Sequence, residues 1–129
     1  MSMIKDMKTY LVAGGVSVPI YLGSIPAEET ECAGLYRYAG KPPHKEAGIE
    51  RIGLQVRSRA QSYEAALSAI NMISGMLCSI GDEETGGDAV DIDGTKYARV
   101  YPVQSAYSLG SDASGVWELV QNFEVSLII

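Results

Sequence analysis

Between Ile52 and Ile80 the spacing of apolar residues changes period, and no other feature restricts the fold so tightly. Ile52, Leu54 and Val56 alternate with Gly53, Gln55 and Arg57, the two-residue repeat of a strand buried on one face. Within a few residues the repeat becomes helical: Ala66, Leu67, Ile70, Ile73, Met76/Leu77 and Ile80 recur on one side of a helix. Ser62 is placed to cap that helix, Glu64 stands in its first turn where the dipole favours negative charge, and Gly81 closes it. A half-buried strand running directly into an amphipathic helix predicts a helix packed on a sheet.

The flanking segments extend this pattern. Ile4, Met7, Leu11 and Val12 predict a short N-terminal helix over residues 3–13, ended by Gly14-Gly15. Val16, Val18, Ile20 and Leu22 alternate as a strand, and Pro19, which has no N–H to give a ladder, places it at an edge or a bulge. GSIPAEETE, residues 23–31, reads as an acidic turn, and Cys32–Ala39 as a strand with Tyr36 and Tyr38 on one face. Residues 40–50, with Gly40, Pro42 and Pro43, read as a loop. Asp93-Gly94 supplies a hairpin turn, Gln104–Leu109 a further strand, and residues 110–115 another turn. In the last strand Leu119, Phe123, Val125, Leu127 and Ile129 share one parity and Glu118, Asn122, Glu124 and Ser126 the other, predicting a buried and a wet face. The expectation is a single α+β domain over residues 1–129: a mostly antiparallel sheet with a short N-terminal helix and one long helix packed on it.

Charge narrows the function. The net charge is −6, and it is uneven: residues 1–60 hold eight Lys/Arg against six Asp/Glu, residues 61–129 two against ten. A dedicated nucleic-acid binder needs enough basic side chains to displace counterions from phosphates, which this balance does not provide. Cys32 and Cys78 form no CxxC and read as buried free thiols. Charges at Lys5, Asp6 and Lys8 rule against reading the first residues as a signal peptide. The longest uncharged run, Ala65–Gly81, falls short of the ~20 apolar residues of a membrane span. The expectation is a soluble, intracellular chain.

Complete catalytic or metal-binding sets are missing from the pattern. His44 is the one histidine, in an exposed loop, so a Ser or Cys nucleophile would have to recruit it as base. Asp91, Asp93 and Gly94 echo part of a calcium loop, but Ala89 and Val100 fall where its first and last ligands belong. Gly110 and Gly115 have phosphate-loop spacing, followed by Val116 and Trp117 instead of Lys and Ser/Thr. With one histidine and two distant cysteines, no zinc site is expected. Arg57 and Arg59 share with Gln55 the strand face opposite Leu54 and Val56. They read as solvated side chains, as a subunit contact, or as part of an anion pocket with Tyr36 and Tyr38.

Several blocks together resemble a known family. A strand ends in Leu22-Gly23 with Pro26 following, Gly40 and Pro43 mark a loop, and GLQVRSRAQSYEAA fills residues 53–66. Near the C-terminus Leu109-Gly110, Asp112 and Gly115 precede Trp117 and then Asn122-Phe123 and Val125. This resembles the minor capsid and tail-terminator (head–tail joining) proteins of long-tailed bacteriophages and prophages. It departs in a shorter N-terminal helix and in Ser58-Arg59-Ala60, where a Gly often precedes the helix. The resemblance implies an α+β virion structural protein that is not an enzyme and binds no cofactor, and the residues themselves offer no metal site. It implies a homo-oligomeric ring, typically a hexamer, at the head–tail junction, ending tail-tube growth. Its implied partners are itself, the tail-tube protein and the neck or connector proteins, with DNA only as cargo through the lumen and no membrane. It would stand in the virion, and in the bacterial cytoplasm during assembly. On this reading the candidate subunit-interface residues are Gln55, Arg57, Arg59, Glu28, Glu29, Glu31, Asp82, Glu83 and Glu84. The alternatives are a neck (head completion) protein on the connector, or a small α+β metabolite-binding or hydrolytic domain.

Overall fold

The computed structural model describes residues 2–41, 48–81 and 88–128. His44, Asp82, Glu83, Glu84 and Ile129 therefore lie outside the described residues. In chain order the elements are α1 (Met3–Ala13), β1 (Ile20–Leu22), β2 (Cys32–Tyr38), β3 (Ile49–Ala60), α2 (Tyr63–Cys78), β4 (Val90–Ile92), β5 (Thr95–Pro102), β6 (Tyr107–Ser111) and β7 (Trp117–Ile128). They form the expected α+β architecture, one seven-stranded sheet in the order β1-β2-β3-β7-β5-β4, with β6 also paired to β7. Among the described residues only β1 and β2 run parallel; the other pairs are antiparallel.

The two twelve-residue strands β3 and β7 form the spine, in unbroken register from Ile49↔Ile128 to Ala60↔Trp117. Their inner face carries Ile52, Leu54, Val56, Phe123, Val125 and Leu127, all buried. Against it α2 lays Ala66, Ile70, Ile73 and Leu77, the stripe read from the sequence. Fully burying a side chain such as Phe123 or Leu54 stabilises by roughly 1.5–3 kcal/mol, so this inner face holds the sheet to the helices. Ser58 Oγ, buried in the same layer, donates to the Ala66 carbonyl at 2.9 Å. Ser62 caps α2 as expected, its Oγ accepting from Ala65 N–H at 3.1 Å.

Several local expectations are corrected. In α1 the buried stripe is Met3, Asp6, Met7 and Leu11, whereas Ile4 is half-buried and Val12 is 55% exposed. The cause is Asp6, which turns inward to accept a hydrogen bond from the buried Tyr97 hydroxyl and so rotates the helix face. The left-handed residue after α1 is Gly15, while Gly14 keeps a right-handed conformation. β1 is confined to three residues at the sheet edge, and Pro19 contributes only its carbonyl, to Ala33 N–H.

The strand expected at Gln104–Leu109 forms instead over Tyr107–Ser111. Residues ahead of it are held otherwise: Val103 N–H donates to the Asn122 carbonyl, and the Gln104 carbonyl accepts from Gln121 Nε2 at 2.9 Å. β5 and β6 thus follow one another along the same side of β7, separated by this break. Asp93 and Gly94 both take positive φ, 51° and 82°, in the two-residue turn between β4 and β5. Finally, the second face of β7 is half-buried at Glu118, Asn122, Glu124 and Ser126, short of the fully wet face expected.

Candidate functional site

The opposite face of the sheet carries the chain's concentrated polar and aromatic groups. Residues paired across strands point to the same side. The register therefore sets out rows on this face: Cys32, Arg59 and Glu118; Gly34, Arg57, Val120 and Tyr107; Tyr36, Gln55 and Asn122; Tyr38, Gly53, Glu124 and Tyr101.

Within these rows the polar groups bond to one another. Arg57 Nη1 reaches Glu118 Oε1 at 3.1 Å, its Nε donates to Gln55 Oε1 at 2.9 Å, and Gln55 Nε2 donates to Asn122 Oδ1 at 3.1 Å. The Arg57 guanidinium also lies 5.2 Å from the Tyr36 ring centroid, and Arg99 lies 4.9 Å from that of Tyr101. Arg59 stands 4.0 Å from Glu118 Oε2, and its Nη1 donates to the Pro26 carbonyl at 3.5 Å. Lys41 pairs with Glu124 at 3.2 Å. Gly53 makes room for an aromatic ring: a Cβ there would stand 2.4 Å from Tyr38, whose hydroxyl donates to the Phe123 carbonyl at 3.2 Å.

The Cys32 thiol and the Tyr36 and Tyr38 phenols of this face are held in their protonated forms. Burial pushes the Cys32 thiol up despite Arg59, which disfavours the reactive thiolate. Tyr36 is raised by burial more than Arg57 lowers it, and Tyr38 by burial and then Glu124, so both phenols stay protonated. The four residues of the imagined anion pocket are divided. Tyr38 lines one hollow with Arg37 and Arg51, Arg59 lines another with Leu109 and Glu118, and Arg57 is stacked on Tyr36. Among the described residues no group of three His, Cys, Asp or Glu side chains is placed to hold a metal ion, and no helix is long and apolar enough to cross a membrane.

With this geometry in view, comparison with known proteins gives a consistent answer. A family model described as bacteriophage tail terminator protein matches residues 2–129. The chain belongs to the bacteriophage tail terminator family. Its fold is also similar to that of a solved chain from the virion of a native gene transfer agent (GTA) particle. That match has a TM-score of 0.71 at 12% identity, covering 99% of this chain and 96% of that one. No curated protein matches. The role is that of a virion tail terminator in head–tail joining, and its place is the virion. Such a structural family implies a non-enzymatic role.

In this terminator, the residues singled out in the sequence fall into two groups. Gln55, Arg57 and Arg59 do share one face, in mutual contact with Glu118 and Asn122. Glu28, Glu29 and Glu31 lie in the loop between β1 and β2, which folds over the end of that face. Ile25 of this loop packs where a Gly34 Cβ would stand, at 2.8 Å, and Pro26 receives Arg59. Sequence reasoning missed Glu118, which joins both arginines; the available signal was its shared parity with Asn122 and Glu124.

Proposed function

We propose that this terminator assembles as a homo-oligomeric ring, a hexamer, that caps the tail tube and joins it to the neck proteins, with DNA passing through its lumen. The family match over residues 2–129 carries this reading. A sheet face with no helix over it among the described residues, already ordered by its own ion pairs, supports it, because a preorganised surface loses little side-chain freedom on contact.

On this reading Glu28, Glu29 and Glu31 stand at the β1 side of the sheet, where a neighbouring copy approaches. Arg57, Arg59 and Gln55 act on assembly from beneath: Glu118 and Asn122 hold them, and Arg59 in turn holds the loop through Pro26. Asp82, Glu83 and Glu84 are retained as contact candidates from the sequence.

Light scattering on the purified chain, with negative-stain imaging alone and with tail tubes, tests the proposal. A closed ring in solution or on tube ends is expected. A monomer at every concentration, with no ring on the tubes, would sink it.

A further inference from the structure

Four exposed large apolar side chains fall within nine residues: Tyr101 (54% exposed), Val103 (58%), Tyr107 (44%) and Leu109 (54%). They lie along the β5–β6 line, whose other side is taken by β7. At Val100 the free side of this line is closed, since its N–H donates to the Ile80 carbonyl. From Tyr101 to Ser111 no strand among the described residues pairs with it. An exposed strand edge is a template for another chain; this one is interrupted by Pro102 and by the bulge at Ser108/Gly110, while Tyr107–Ser111 carries no charge and no Pro.

A second apolar surface lies at the other edge of the sheet. Val12, Ala13 and Leu22, with Lys5, Lys8 and Thr9, line a groove of about 570 Å³ between α1 and β1. The two edges stand at the same level. Tyr21, Gly34, Arg57, Val120 and Tyr107 form one row across five strands, and Ile20, Ala33, Ser58, Leu119 and Ser108 the next. β1 runs with β2, and each following pair in the row is antiparallel, so β1 and β6 run in opposite directions. Copies sharing one orientation around an axis would then bring β1 of one beside β6 of the next in the antiparallel sense.

We propose that a second copy of this chain seats its α1–β1 groove on the Tyr101–Ser111 edge of the first, with Val103 and Leu109 entering the groove. The groove is rimmed by Lys5 and Lys8, and Asp112 follows directly after β6. Groove and edge are different patches, so the contact is heterologous and repeats from copy to copy, closing a ring when the rotation permits. The inference rests on the ring reading and names its seam.

The test uses two full-length variants, Val103→Lys/Leu109→Lys at one edge and Val12→Glu/Leu22→Gln at the other. Each variant alone is expected to be monomeric, its self-association at least ~30-fold weaker than wild type. Mixed, they should form a 1:1 heterodimer and nothing larger, because each keeps one intact edge; unfolded variants could not pair in this way. If the wild type forms rings and either variant still does, the seam is wrong while the ring reading stands. If only the β6-edge variant loses association, the contact is a two-fold one and the proposal is overturned. A wild-type chain that stays monomeric in solution and forms no ring on tail-tube ends overturns the seam and the ring together.

Discussion

At the scale of single residues, the buried pair of Asp6 and Tyr97 and the surface pair of Arg57 and Glu118 do different work. Tyr97 donates to Asp6 inside the core and anchors α1 to β5. Removing that donor in Tyr97→Phe leaves a buried carboxylate short of a partner, and chemical denaturation should show a loss of about 1–3 kcal/mol. Burial, reinforced by the bond to Asp6, drives the Tyr97 phenol far above its ordinary value. A raised folded pKa favours the protonated phenol, so this stabilisation is complete below the unfolded value of about 10 and drains away as pH climbs above it. Melting curves taken between neutral and strongly alkaline pH should therefore fall less steeply in Tyr97→Phe than in wild type; identical slopes would refute the assignment. Arg57 is 37% exposed at its side chain and Glu118 25%, so the surface pair is screened. Arg57→Ala with Arg59→Ala should cost no more than about 1 kcal/mol in unfolding, yet weaken assembly measurably by sedimentation because the Pro26 loop loses its anchor. A double variant that assembles like wild type would show that these arginines serve the monomer alone.

Elements differ in how far the sequence announces them, and the reason is where their information lies. α2 and the Ile52–Val56 part of β3 were legible because period, cap and turn chemistry agree locally. The Asp93-Gly94 hairpin was legible for the same reason, two residues with positive φ between short strands. Ser62→Ala should accordingly lower stability by about 1 kcal/mol in urea unfolding, with α2 still formed; no change would mean the cap is idle. The phase of α1 was not legible, since a charged residue at an inward position has no local signature and its partner Tyr97 is 91 residues away. The start of β6 depends likewise on Gln121 and Asn122 in a different strand. At the candidate site the shared face of Gln55, Arg57 and Arg59 followed from strand parity. That they meet Glu118 and Asn122 follows only from the β3–β7 register, which no local pattern encodes.

Across the whole molecule, the helices and the inner sheet face form the apolar cluster, while the other face and the two free edges stay available for contact. That division suits a subunit of a larger assembly, since exposed apolar residues at opposite edges would otherwise invite open-ended association. The family's role is that of a virion tail terminator, and the proposal built on it is that a ring of this chain stops tail-tube growth. The most direct measurement adds the purified protein to tail-tube subunits during polymerisation and follows tube length and tube ends by electron microscopy. The account predicts tubes that stop lengthening once a ring sits on one end. Tubes that keep growing past saturating protein, with bare ends, would contradict it.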